Sequence, residues 1–197
     1  SGTVLITGHP TGGKSPISMG PDNSFNVLKI DSNTGAELNT HIVVVNGLVD
    51  VIAGRLDING HTLRAFSGLT VRHNGILEVD AWGNLQIAGG QSLIVQRGGT
   101  LQCLGDADGV AEISSLGGVI GYDILSGAFI AAREALFRNM NIEGVQVQSG
   151  AMVDPNNCFT NCTFTDGTSG TFSNRSRYLL LNTNQDLTIM GANFPES

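Results

Sequence analysis

Five leucines, Leu69, Leu77, Leu85, Leu93 and Leu101, stand eight residues apart without slippage. Around them one short phrase recurs: glycine, any residue, apolar, any residue, apolar. It runs Gly47 to Val51, Gly54 to Ile58, Gly75 to Val79, Gly83 to Ile87 and Gly99 to Cys103. Leu69-Thr-Val71 and Leu93-Ile-Val95 fit with the glycine moved or replaced. A beat of eight is not a helical period, while the alternation inside each phrase is two, the period of a strand. Each phrase is therefore read as a strand of about three to five residues with two apolar side chains inward. The intervening residues, Asp57, Thr70, Glu78, Gln86, Ile94 and Gln102, point outward. The glycine is read as the corner residue, permitting positive φ. Three such sides make a coil of about 24 residues, within the range of solenoid repeats.

The second half repeats at a longer interval. Ser126-Gly-Ala-Phe129 returns as Ser149-Gly-Ala-Met152 and as Ser169-Gly-Thr-Phe172. Phe137-Arg-Asn139 aligns with Phe159-Thr-Asn161, which puts both asparagines at one phase beside a corner, where their side chains can bond along a column. Coils of about 20–24 residues are expected from Gly47 to Gly191, and the whole chain gives roughly eight coils, a rod of about 40 Å. Residues 1–46 follow the beat poorly and are read as an N-terminal cap of strands and loops, with the β-solenoid body occupying 47–197. A cap is needed because a bare coil end is an open sheet edge. Ala131–Asn139 is read as strand and corner, a short helical excursion being the alternative.

Composition explains what this chain is not. Glycine supplies 27 of 197 residues, and Asp, Glu, Lys and Arg only 14%, which removes coiled coils and long charged helices. Hydrophobic residues at 41% are too many for disorder. A net charge of −7 opposes phosphate, so no nucleic-acid partner is expected. No apolar run approaches 18 residues, so no membrane-spanning helix is expected. Three cysteines, Cys103, Cys158 and Cys162, are too few for a disulfide scaffold. They are read as small buried hydrophobes, with a Cys158–Cys162 bridge left open.

Several motifs invite a chemical reading. Gly8-His-Pro-Thr-Gly-Gly13-Lys14-Ser15 matches the phosphate-loop pattern letter for letter. Such a loop must open a helix, and Pro16, Gly20 and Pro21 forbid one, so Gly8, Gly13, Lys14 and Ser15 are read as a chance match. Asp106, Asp108 and Glu112 resemble part of a calcium loop without its full pattern; a solvated turn is the plainer reading, and calcium is the only cofactor entertained. Asp57 and Glu78 are 21 residues apart, about one coil, and Asp80 follows two residues on. Carboxylates so placed can do acid–base work on glycosides. Arg55, Arg64, Arg72 and Arg97 lie in the same region and balance them as a charged, soluble face. Trp82 and Phe66 serve as sugar platforms if exposed and as corner packing if not.

The Gly-x-Leu-x-Val phrases and the Phe-x-Asn coils resemble the parallel β-helix superfamily, and more narrowly the repetitive β-solenoid segments of secreted bacterial surface proteins. The resemblance covers about three quarters of the chain. It implies an all-β, single-stranded parallel β-helix, right-handed because strict hexapeptides are absent. It implies a non-enzymatic rod, adhesin or filament unit, extracellular or at the cell surface, with itself or an extracellular polysaccharide as partner. The same superfamily includes pectate-lyase-like enzymes, so a polysaccharide-active or carbohydrate-binding β-helix is the alternative. The near absence of lysine, two residues in all, speaks against the lyase type.

Overall fold

The computed structural model describes residues 2–8, 13–167 and 177–194. Among them there are twenty strands and no helix, and every strand pairing is parallel. The strands stack as a β-solenoid of about seven coils with three faces. Faces one and two merge through the long strand Val49–Asp57, whose two halves belong to neighbouring faces. Face three is a separate six-stranded sheet.

The leucine beat is the three-sided coil itself. Leu69 and Leu93 are rung partners on face one, Leu77 and Leu101 on face two, and Leu85 pairs with Leu63 and Ile113 on face three. Alternation then sends Leu28, Val49, Leu69, Leu93, Tyr122 and Val145 into one inner column and Ala36, Leu56, Leu77, Leu101, Ile130 and Val153 into another. All are 0–1% exposed. Toward the C-terminal end the third column turns aromatic. Phe137 stacks on Phe164 with ring centroids 5.2 Å apart, and Phe164 on Phe194 at 5.0 Å. Ala131–Asn139 is strand, corner and strand, with Glu134 at φ 46° making the corner.

Three expectations change. The chain makes about seven coils rather than eight, because some coils are long: Leu85 to its rung partner Ile113 is 28 residues and Val145 to Leu179 is 34. Asn139 and Asn161 do not share a column. Phe137 pairs with Phe164, not Phe159, so the two asparagines turn different corners. Asn139 N–H bonds to the Thr165 carbonyl, whereas Asn161 Nδ2 donates to Glu134 Oε1 at 2.6 Å. The apparent repeat matched a corner after face three to a corner after face two, since both use a left-handed residue. The Ser126 and Ser149 phrases do stack, with Phe129 opposite Met152, while the Ser169 phrase lies outside the described residues.

The third change concerns glycine. In the phrases at Gly75 and Gly99 the left-handed residue comes one position earlier, at Asn74 (φ 65°) and Gly98 (φ 75°). The phrase glycine is there because the coil below passes too close. A Cβ on Gly75 would lie 2.4 Å from the Val51 carbonyl oxygen, and one on Gly99 2.8 Å from that of Val71.

The N-terminal strands continue the same ladders. Thr3–Ile6 pairs with Val27–Asp31, and that strand with Val49–Asp57. Ser15–Ile17 pairs with Ala36–Leu38 on face two, and Ile42–Val45 opens face three. These ladders run through position 47 without a break.

Candidate functional site

Two places on the outer surface gather chemistry. The first is a column on face two, where Glu37, Asp57 and Glu78 occupy successive rungs. Stacked carboxylates about 4.8 Å apart repel one another unless cations intervene. Here they do. Lys14 Nζ bonds Asp57 Oδ2 and lies 3.8 Å from Glu37, and Arg55 bonds Glu78. Asp57 Oδ1 accepts the Asn59 N–H at 2.9 Å, and Asp80 Oδ1 accepts the Gly60 N–H at 2.8 Å. On face one Arg72 Nε holds Asp50 Oδ1 at 2.6 Å. The structure brings Asp57 and Glu78 together as neighbours, but each is tied to its own cation, and Asp80 is occupied with a turn.

Lys14 and Ser15 enter a strand, not a helix. The Ser15 N–H donates to the Gly35 carbonyl at 3.0 Å, and Ser15 pairs with Ala36. Positions 9–12 of the loop lie outside the described residues, and Gly8 and Gly13 flank them. The Lys14 pair with Asp57 is intermediate between a surface and a buried bridge. Lys14→Ala is expected to cost about 1–2 kcal/mol of stability, read as a lower urea midpoint. ATP is expected to leave the melting temperature of the parent chain unchanged, and a saturable ATP shift would contradict the chance-match reading.

The second place is a cleft of about 400 Å³ lined by Trp82, Asn84, Asp108, Val110, Glu112 and Glu134, among others. Trp82 sits at φ 65° with 69% of its surface exposed, so it is not buried as corner packing. Its backbone N–H donates to the Val110 carbonyl at 3.1 Å, and a Cβ on Gly109 would lie 2.6 Å from the indole. The far wall is the loop 105–110. Asp106 Oδ1 accepts the N–H groups of Asp108 and Gly109 at 2.9 and 3.0 Å, and the Asp106 N–H returns to the Gly109 carbonyl. That turn is self-supporting. Glu112 stands beside Asn84 on face three, 3.8 Å from Arg138.

Asp106, Asp108 and Glu112 thus share one cleft. Among the described residues no three or more His, Cys, Asp or Glu side chains are grouped to hold a metal ion. Sequence reasoning missed Asn84 and Glu134 as members of the cleft. The signal was the break in the eight-residue beat after Leu101, which marks an inserted loop.

The cysteines are buried, free thiols. Burial pushes Cys162 up to about 12 and Cys103 well above its ordinary value, so both stay protonated and act as packing side chains. Comparison with known proteins finds no matching family model, no matching curated protein and no matching solved structure.

Proposed function

We propose that this chain is a non-enzymatic structural or adhesive β-solenoid segment of a secreted or cell-surface protein. The observation that carries this reading is the pairing of Asp57 with Lys14 and of Glu78 with Arg55 on a continuous ladder. General acid–base work needs one carboxyl group free to hold a proton and another free to remove one. Carboxylates held by fixed cations stiffen the outer surface instead. Stacked parallel ladders make a rod, and the outer columns offer contact surfaces to other copies or to extracellular polysaccharide. No cofactor is required by this role.

The test is an assay for new reducing ends and unsaturated products on a panel of plant and bacterial polysaccharides, with and without calcium. No product above the boiled control is expected. Release of either product would overturn the reading and turn attention to Asp57, Glu78 and Asp80. The Trp82 cleft favours carbohydrate binding as a second reading, one compatible with adhesion.

A further inference from the structure

We propose that the cleft beside Trp82 is a subsite for a neutral glycan, with the indole as the stacking platform. The inference rests on the adhesive reading and supplies what the segment adheres to.

The backbone supplies the first argument. Trp82 occupies the position before a phrase glycine, and at the same place in the neighbouring phrases stand Asn74 and Gly98. Asparagine and glycine tolerate left-handed backbone, whereas a bulky side chain there is an outlier. The indole gains little burial in return, being 69% exposed. Conformational cost without a packing gain is what functional positions show.

The loop supplies the second. Residues 105–110 form part of the insertion that stretches the Leu85–Ile113 coil step to 28 residues. In solenoids such insertions map to loops on one face, often the binding face. This loop is held by its own Asp106 turn and leaves room for the indole only because residue 109 is glycine.

The third argument is an unmet hydrogen bond. Asn84 lines the cleft, and its Oδ1 is buried with no hydrogen-bond partner among the described residues. An unpaired buried acceptor is costly, and a turn of the Asn84 amide toward the cleft would let a ligand hydroxyl satisfy it. The cleft also holds the carboxylates of Asp106, Asp108, Glu112 and Glu134, of which Glu134 Oε1 already accepts from Asn161 Nδ2 and Glu112 lies 3.8 Å from Arg138; among the described residues no lysine or arginine lines it. The four carboxylates favour a ligand that brings donors and disfavour one that brings negative charge. A neutral pyranose meets both conditions: its C–H face lies flat on an indole, and its hydroxyls donate to carboxylates. A uronate polymer would be repelled.

Trp82 is the single tryptophan of the chain, so tryptophan emission, excited selectively over the two tyrosines, reports this cleft alone. The parent chain is titrated with cellohexaose, mannohexaose, xylohexaose and maltohexaose, and with hexagalacturonate as the acidic control. A saturable change in emission is expected with at least one neutral hexasaccharide, with hexagalacturonate at least tenfold weaker. By calorimetry, Trp82→Asn should weaken binding at least tenfold without lowering the melting temperature, since Asn74 shows that asparagine suits this backbone. Asn84→Ala should weaken it at least threefold. Silence with all four neutral sugars, equal binding of hexagalacturonate, or binding that survives Trp82→Asn would overturn the proposal. Reducing ends are measured in the same samples. New ends with binding intact would refute the non-enzymatic reading and leave the subsite; absence of binding would refute the subsite and leave the rod.

Discussion

Leu85→Asp is expected to abolish the folded state. Leu85 is fully buried on face three, between Leu63 on the coil below and Ile113 on the coil above. Truncating a buried leucine alone costs about 2–5 kcal/mol. A carboxylate at this point adds the desolvation of a charge whose rung neighbours are both aliphatic. The combined penalty, about 5 kcal/mol or more, is comparable with the whole stability of a typical domain, about 5–15 kcal/mol. Circular dichroism should show loss of the β spectrum at neutral pH. Leu85→Met keeps the volume and should cost under about 1.5 kcal/mol. An intact, cooperatively melting Leu85→Asp protein would place residue 85 outside the core.

The second large effect is at a corner. Gly54 has φ 77°, and a Cβ there would lie 1.7 Å from the Ser32 carbonyl oxygen. Ser32 cannot easily retreat, because it is buried and its Oγ accepts the Gly35 N–H at 3.2 Å within the same turn. Gly54→Ala must therefore absorb both left-handed strain and a displaced coil, and should cost about 3–5 kcal/mol. Gly90 separates the two effects. Its φ is 79°, but among the described residues nothing lies within 4 Å of its Cβ position. Gly90→Ala should cost only about 1–2 kcal/mol. Denaturant midpoints of the two variants check this; equal losses would mean that close approach between coils is not what keeps Gly54.

These variants also show which parts of the fold were legible in the sequence. The beat from Leu69 to Leu101 was legible because each strand there is short, each corner has constant length, and one phrase equals one face. The second half obscures its register. Strand Met140–Val147 carries a bulge against Ile120–Ile124, and Met152–Thr160 slips twice against Phe129–Arg133. A one-dimensional alignment cannot tell such an extra residue from a change of face, which is how Asn139 and Asn161 came to be matched. Glycine at 47, 54, 75 and 99 was legible as special, and at Gly54 positive φ is indeed part of the reason, but the close approach of the neighbouring coil was not legible. A clash with the coil below depends on residues about 20 positions away, such as Val51 for Gly75 and Asn26 for Gly47.

The charged column was half legible. The 21-residue spacing brought Asp57 and Glu78 onto adjacent rungs as expected. Lys14 as the partner of Asp57 was hidden, because it is 43 residues away and arrives from a strand outside the regular beat. The Trp82 cleft was legible only as an aromatic residue in one place and an acidic turn in another. Their meeting depends on the loop 105–110 folding back over the corner at Trp82.

The central claim is the stack itself, and a spin-label ruler along the outer column of face one tests it most directly. Leu5, Lys29, Asp50, Thr70, Ile94, Asp123, Gln146 and Leu180 occupy eight successive rungs. The native thiols are buried and do not compete for label. Pairing a label at position 180 with one at 5, 29 or 70 spans seven, six or four rungs. At about 4.8 Å per rung the backbone separations are roughly 34, 29 and 19 Å. Distances that fall in these steps, within the reach of the label, are the predicted result. Equal distances from all three positions, or distances that do not shorten in the order 5, 29, 70, would contradict the solenoid.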